Sequence, residues 1–203
     1  MTSEKAILIK NLEMHGLKIL VLNGSPRPNG NTKKMVNAFA EGARTGGHQV
    51  DIVDVCRKRI AGCLGCDHCQ KVSEGVCVQR DDMQEIYDLL KEANMLVLAS
   101  PVYYHSFSGQ LKCAIDRTYA IAHPGKLPNL KKAGMILSSG DDDVYEGAIY
   151  ELNRNFKEFL KLDIDFMKLV AKDVTEETLA EIKEEAFRLK EPVEKKEESG
   201  NDN

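Results

Sequence analysis

Short apolar runs alternate with amphipathic segments five times along this chain. Three of the runs, KILVLNG at 18–24, MLVLASP at 95–101 and AGMILSS at 133–139, are almost continuously hydrophobic, as is typical of parallel strands buried on both faces. VDIVDV at 50–55 and IDFMKLVA at 164–171 complete the set of predicted strands. Because strand and helix alternate throughout, the sequence predicts an α/β fold with a parallel sheet and right-handed crossovers.

Helix signals separate these strands. Asn31 is placed to cap a first helix, and Asp82 with Glu85 three residues later resembles a capping box at the start of another. Further helices are predicted at about 108–121, 145–161 and 175–190. A chain of 203 residues suits one domain, and the pattern favours a three-layer sandwich whose five-stranded sheet has the order 2-1-3-4-5.

The two ends of the chain differ from its middle. In the predicted domain plan, 1–17 form an amino-terminal extension, 18–190 form the domain, and the polar residues 191–203 form a mobile tail. The amino terminus lacks the apolar core of a secretory signal, and no apolar run approaches membrane-spanning length. A net charge of -4 argues against nucleic acid or an anionic membrane as the main partner. We expect a cytoplasmic protein, in which thiols stay reduced.

The loop after the first predicted strand, GSPRPNGNT at 24–32, leads directly into a helix and is called the phosphate loop below. A helix amino terminus, with its unpaired N–H groups and positive dipole end, suits a phosphate. Side-chain donors or charge are added by Ser25, Arg27, Asn31 and Thr32. Neither Asn31 nor Thr32 is expected in the core. The loop lacks both Gly-Lys-Ser/Thr and G-x-G-x-x-G, which leaves a single terminal phosphate or, as the alternative, a turn without a ligand.

Two further loops are expected at the same edge of the sheet, because ligands in such folds lie beyond the carboxyl ends of the strands. SPVYYHSFSG at 100–109 carries two tyrosines and backbone N–H groups that suit the rim and face of a planar heterocycle. SSGD at 138–141 offers a small-residue approach from the opposite side. The tyrosines fit a role in the core or in a subunit contact equally well.

Three motifs in order carry a family resemblance. GSPRPNGNT, the C-x2-C-x2-C…C pattern followed by DDM, and SPVYYHSFSGQLKCAIDR resemble the NAD(P)H-dependent FMN reductase superfamily, and within it the iron-sulfur flavoproteins. The resemblance covers about Lys18 to Val170. It implies a flavodoxin-like fold, FMN as cofactor and NAD(P)H as a possible substrate. It also implies a homodimer or homotetramer, with a small redox substrate or a ferredoxin-type protein as partner.

The resemblance further implies roles for individual residues. The FMN phosphate would be held by Ser25, Arg27, Asn29, Asn31 and Thr32. The isoalloxazine ring would lie against Pro101, Val102, Tyr103 and Tyr104. A third wall would be formed by Ser139, Gly140 and Asp141. No catalytic side chain is predicted, because the flavin itself carries the redox chemistry.

Within a cysteine-rich loop at 56–80, four of the chain's six cysteines crowd into the 15 residues from 63 to 77: Cys63, Cys66, Cys69 and Cys77. The first three have the spacing with which a short loop wraps a cubane, whereas the longer gap before Cys77 departs from the bacterial ferredoxin pattern. In a reducing compartment such a group indicates metal or redox chemistry, and a [4Fe-4S] cluster ligated by all four is predicted. Free thiols are one alternative, and a structural zinc, for which the spacing is poorer, is another.

The cysteine-rich loop is expected beside the phosphate loop, because the second strand neighbours the first in this topology. The sequence therefore predicts an FMN-dependent oxidoreductase or electron-transfer flavoprotein in which electrons pass between FMN and the cluster. Two alternatives remain. One is a cluster-free NAD(P)H-dependent FMN or quinone reductase, and the other is a non-enzymatic electron carrier or interaction module.

Overall fold

The computed structural model describes residues 16–123 and 125–190. The predicted mobile tail at 191–203 and nearly all of the predicted extension at 1–17 lie outside these residues. Five strands are observed where the sequence predicts them: β1 (Lys18–Asn23), β2 (Gln49–Asp54), β3 (Met95–Pro101), β4 (Lys132–Ser139) and β5 (Asp163–Ala171). They pair in parallel in the order β2-β1-β3-β4-β5, which confirms the predicted flavodoxin-like arrangement.

Helices connect and flank these strands. The described residues contain α1 (Asn31–Thr45), α2 (His68–Lys71), α3 (Met83–Glu92), α4 (Gly109–Arg117), α5 (Glu146–Glu151) and α6 (Glu176–Phe187). α5 continues as a π-helix over Leu152–Phe159, and 3-10 turns occur at Val55–Arg57 and Thr118–Ala120. The short α2, inside the cysteine-rich loop, is not among the predicted helices. No helix in the described ranges is long and apolar enough to cross a bilayer.

Neither predicted helix cap forms as the sequence suggests. The cap position of α1 is Gly30, and the amide of Asn31 instead donates to the carbonyl oxygen of Lys172 at 2.8 Å. Asp82 does occupy the cap position of α3, but its carboxylate accepts from the N–H of Arg59 at 2.7 Å. In both cases a segment that is distant in sequence provides the partner, so the local pattern predicts the position of the helix but not its hydrogen bond.

Side chains that alternate along the strands fill two hydrophobic layers, one on each face of the sheet. In β1, Leu20 and Leu22 belong to the layer that includes residues of α3, α4 and the π-helix. Ile19 and Val21 belong to the layer that includes residues of α1 and α6. Each buried aliphatic side chain stabilises the fold by about 1.5–3 kcal/mol. This burial on both faces explains why the sequences of β1, β3 and β4 are apolar almost without interruption.

α1 and α6 approach each other closely at Gly42. A Cβ atom built on Gly42 would lie 2.1 Å from the carbonyl oxygen of Lys183, a distance that no side chain tolerates. Because the obstacle is backbone, it cannot turn aside as a flexible side chain would. Glycine is therefore required where α6 packs against α1, the helix that begins at the phosphate loop.

Candidate functional site

The carboxyl ends of four strands border a cleft of about 540 Å³. Its lining comes from the loops that follow β1, β3, β4 and β5: Ser25, Arg27, Gly30, Asn31, Thr32, Pro101, Val102, Tyr103, Ser138, Ser139, Gly140, Lys172 and Asp173. Most of these residues are predicted cofactor ligands. The structure thus brings the phosphate loop and the two loops assigned to a planar ring into one site.

Three of the predicted ligands do not line this cleft: Asn29, Tyr104 and Asp141. All three are exposed. Tyr104 occupies the tip of a tight turn, in which Tyr103 and Ser106 exchange backbone hydrogen bonds of 3.0 and 3.1 Å. The turn directs the Tyr104 side chain into solvent, where it is 101% exposed. Only one of the two tyrosines that were expected to border a ring therefore faces the cleft.

The phosphate loop is fixed where it leaves β1. A Cβ atom on Gly24 would lie 2.5 Å from the Ser108 hydroxyl and 2.7 Å from the Leu111 Cβ atom, which cannot turn aside, so this position also favours glycine. The Gly24 carbonyl accepts hydrogen bonds from the Ser108 hydroxyl at 2.8 Å and from the Cys56 thiol at 3.1 Å. Burial, with a smaller contribution from the Asp54 carboxylate, raises the pKa of Cys56, which keeps its thiol protonated as a donor. The loop thus starts from a rigid point between the end of β2 and the start of α4.

Within the phosphate loop the backbone turns around Ser25. The N–H of Arg27 donates to the Ser25 hydroxyl at 3.3 Å, and the N–H of Gly30 donates to the Arg27 carbonyl at 3.2 Å. The first turn of α1 contains no acidic residue. The first N–H groups of a helix have no intrahelical acceptor, and its dipole favours negative charge there. Together with the exposed Arg27, this end of the cleft suits a phosphate dianion.

Thr32 lies in the core, contrary to expectation. It is 1% exposed, and its hydroxyl is 2.7 Å from that of Ser138 at the end of β4. The reason is that the second residue of α1 already faces the sheet on which the helix packs. Thr32 therefore joins the phosphate end of the cleft to the wall formed by β4.

The end of β5 adds two residues to the cleft that the sequence analysis missed, Lys172 and Asp173. Lys172 has a left-handed backbone, with φ of 61°, and its N–H donates to the Ser139 carbonyl at 2.7 Å. Its carbonyl is the acceptor for Asn31. The available signal was a pair of charged residues directly after the apolar run of β5, the position that points to the site in the neighbouring strands.

The four clustered cysteines occupy different environments. Cys63 and Cys66 are exposed, Cys77 is partly buried, and Cys69 is buried in the hydrophobic layer of α3 and α4. Cys63 also borders an apolar hollow of about 360 Å³. Across 16–123 and 125–190, no three histidine, cysteine or carboxylate side chains come together in a way that would hold a metal ion. This conformation of the loop does not arrange the four sulfurs around a common centre.

The cysteine-rich loop is nevertheless closed at its base. The N–H of Ala61 donates to the Asp81 carboxylate at 3.1 Å, and the side-chain amide of Gln79 donates to the Gly62 carbonyl at 3.1 Å. The guanidinium of Arg117 reaches the same point from α4, where it donates to the Ala61 carbonyl at 3.0 Å. All four cysteines lie between these ties, so they belong to one loop with a fixed base.

Comparisons with known proteins agree with this architecture. An iron-sulfur flavoprotein of Archaeoglobus fulgidus is 36% identical over 141 residues, which is 70% of this chain and 63% of that protein. The chain therefore spans less than two thirds of the length of this relative. An iron-sulfur flavoprotein of Methanocaldococcus jannaschii is 30% identical over 69% of this chain and 72% of its own. The protein also superimposes on the structure of an NAD(P)H:quinone oxidoreductase from Methanothermobacter marburgensis, with a TM-score of 0.64 over 85% of this chain and 93% of that one. At 19% identity, this similarity shows a shared fold.

The sequence profile of the family described as NADPH-dependent FMN reductase matches residues 17–162. This span contains the phosphate loop, the cysteine-rich loop and the loops after β3 and β4. It ends before Lys172 and Asp173. On this match the chain belongs to the NADPH-dependent FMN reductase family, and iron-sulfur flavoproteins are among its relatives.

Proposed function

We propose that this chain is an FMN-dependent oxidoreductase whose flavin occupies the cleft at the carboxyl edge of the sheet. The observation that carries the proposal is a single cleft with two different ends. One end has the helix amino terminus, the hydroxyl groups and the Arg27 guanidinium that suit a phosphate, and the other has the Pro101–Tyr103 segment beside Ser138–Gly140. The volume of about 540 Å³ is in the range of cofactor sites.

The residues present fit FMN in chemistry as well as in size. Ser25, Arg27 and Thr32 would hold the phosphate, while Val102 and Tyr103 would border the ring. The N–H of Val102 donates to the Ser138 carbonyl at 2.8 Å, which ties the two walls of the ring end together and fixes their separation. When bound, the flavin would supply the redox chemistry, taking up hydride from NAD(P)H and passing electrons to an acceptor. The protein would bind and orient it.

The test is to identify and titrate the flavin. Protein purified from a flavin-replete host should release FMN on denaturation, and the flavin-depleted chain should rebind FMN more tightly than riboflavin, which lacks the phosphate. Oxidation of NADH or NADPH with a quinone acceptor should require that flavin. Protein that neither copurifies with flavin nor binds added FMN would overturn the proposal, whereas tight FMN binding without turnover would favour an electron carrier.

We further propose that the cysteine-rich loop binds a [4Fe-4S] cluster through Cys63, Cys66, Cys69 and Cys77. The spacing of these cysteines and the names of the relatives support this. Because the sulfurs are not arranged around a common centre, cluster binding would require the loop to rearrange between its fixed ends, so that the exposed Cys63 and Cys66 and the buried Cys69 come together.

Metal analysis of protein prepared without oxygen tests the cluster. About four irons and four sulfides per chain are expected. Cys66→Ser should lose or degrade the cluster and keep FMN, while Cys113→Ser, outside the group of four, should keep both. Anaerobic protein with a full complement of FMN, no iron and four freely titratable thiols in the loop would instead indicate a cluster-free flavin or quinone reductase.

A further inference from the structure

Behind the cleft, a chain of side-chain contacts leads to the phosphate loop. Asn23 and Asp54 are the last residues of β1 and β2, and they are register partners in the parallel pair. The Asn23 amide nitrogen donates to the Asp54 carboxylate at 2.8 Å, and the amide oxygen accepts from the N–H of Ser25 at 3.2 Å. Asn23 is 1% exposed, so water does not provide alternative partners.

Asp54 is held in its ionised form. The ammonium of Lys33 lies 2.7 and 2.9 Å from its two carboxylate oxygens. Burial acts to raise the pKa of Asp54, but the hydrogen bonds from Lys33 and Asn23 outweigh it and lower the pKa below the ordinary value. An ionised carboxylate can only accept hydrogen bonds. It therefore fixes which end of the Asn23 amide faces it, and the amide oxygen is left facing the Ser25 N–H.

We propose that Asp54, acting through Asn23, is a positioning residue that shapes the phosphate loop and sets the preference of the site for FMN over riboflavin. The proposal rests on the proposed function, since it concerns the phosphate end of the same cleft. Asp54, Asn23 and Lys33 are not among the residues that line the cleft. Apart from the through-space effect of their charges, they can reach a bound phosphate through the hydrogen bond from the Ser25 N–H to Asn23.

The sign of the effect separates positioning from simple electrostatics. A carboxylate behind a phosphate site repels the phosphate, so its removal by itself should strengthen FMN binding. Positioning predicts the opposite. In Asp54→Asn the new amide can present either its oxygen or its nitrogen to Asn23, so the orientation of Asn23 is no longer fixed and the Ser25 N–H loses a reliable acceptor.

Titration of the flavin-depleted full-length chain with FMN and with riboflavin, followed by flavin fluorescence, tests this. Asp54→Asn should weaken FMN binding about tenfold and change riboflavin binding by less than about twofold. Asp51→Asn is the matched control, because Asp51 is an exposed residue of the same strand and loses the same charge. It should leave both affinities unchanged.

Asn23→Ala provides a second variant if Asp54→Asn folds poorly, because it removes the link and leaves the ion pair of Lys33 and Asp54 in place. It should reduce the FMN-to-riboflavin preference in the same direction. FMN binding that is unchanged or stronger in these variants overturns the proposal, as does an equal loss for both flavins. A wild-type chain that does not prefer FMN to riboflavin would instead overturn the phosphate site itself.

Discussion

The guanidinium of Arg117 meets the carboxylate of Asp81 through two hydrogen bonds, 2.7 Å from Nη1 to Oδ2 and 3.0 Å from Nη2 to Oδ1. The Arg117 side chain is 1% exposed. Its backbone carbonyl also accepts from the hydroxyl of Tyr87 at 2.9 Å, and burial raises the pKa of Tyr87 to about 12, so that hydroxyl stays protonated. Arg117 thus connects α4 with the base of the cysteine-rich loop through Asp81, and with α3 through Tyr87.

Arg117→Leu should destabilise the fold strongly. The substitution leaves the Asp81 carboxylate, which is only 16% exposed, without its charged partner. Breaking a buried pair in this way costs about 3–5 kcal/mol in the free energy of unfolding. Urea denaturation measures the loss. Arg154→Leu, which removes an exposed ion pair with Glu158, is the control and should change stability by less than about 1 kcal/mol. Similar losses in the two variants would show that burial does not set the strength of the Arg117–Asp81 pair.

The same pair predicts a dependence of stability on pH. Burial acts to raise the pKa of Asp81, but hydrogen bonds from Arg117 and from the N–H groups of Ala61 and Met83 lower it below 3.8. A group whose pKa is lower in the folded state stabilises the fold above the unfolded value, and this contribution disappears as the pH falls through the folded value. Asp81→Asn should therefore lose less stability than the wild type between about pH 5 and pH 3. Parallel losses in urea titrations would refute this.

Replacing the two tyrosines singly should give different results. Tyr103 lines the cleft, whereas the side chain of Tyr104 lies in solvent at the tip of the turn. Tyr103→Ala should weaken FMN binding by about fivefold or more, because an aromatic contact is lost, and should shift the visible spectrum of the bound flavin. Tyr104→Ala should leave affinity and spectrum unchanged. If Tyr104→Ala changed the spectrum as much, the ring would not lie where the cleft indicates.

The hydroxyl of Thr32 should matter more than its methyl group. Thr32→Val keeps the shape of this buried residue but leaves the Ser138 hydroxyl without its partner at 2.7 Å. FMN binding should weaken about tenfold, since the phosphate end also loses a hydroxyl. Thr32→Ser keeps the hydroxyl and should stay within about threefold of the wild type. Isothermal titration calorimetry distinguishes the two, and equal affinities would remove the Thr32 hydroxyl from the site.

Gly42→Ala should destabilise the packing of α1 on α6. The added Cβ would meet the Lys183 carbonyl at 2.1 Å, so the helices would have to separate, at a cost of about 1–3 kcal/mol. Gly109→Ala is the control, because no atom lies within 4 Å of its added Cβ. Thermal unfolding should show a lower midpoint for Gly42→Ala alone. An unchanged midpoint would mean that the helix pair can adjust without loss.

The sheet could be predicted from the sequence because its three central strands, β1, β3 and β4, each carry their own signal of burial. Strands with apolar side chains on both faces, such as β1, have a signal that does not depend on distant residues. The helix ends could not be predicted in the same way. Asn31 and Asp82 carry the correct local signals, but their partners Lys172 and Arg59 are distant in sequence, and nothing near the helices reveals them.

The cleft was predicted in outline for a related reason. The carboxyl ends of parallel strands meet at one edge, so the phosphate loop and the loop at Ser138 could be brought together from topology alone. The direction of Tyr104 could not, because it depends on a turn in which Tyr104 and His105 both have positive φ, 49° and 63°. Residues other than glycine rarely adopt this conformation, so the sequence pattern does not predict it.

The closed base of the cysteine-rich loop has a consequence for how such a protein can change over evolution. Because the N–H of Ala61 contacts the side chain of Asp81, the intervening segment leaves and re-enters the domain at nearly one point. We expect changes of length between these ties to leave the strand order unchanged, whereas loss of the segment would also remove the core contacts of Cys69 and the hydrogen bond from Gln70 to the Tyr119 carbonyl. The closed base therefore lets the thiol-bearing segment vary in length, while Cys69 and Gln70 limit how much of it can be lost.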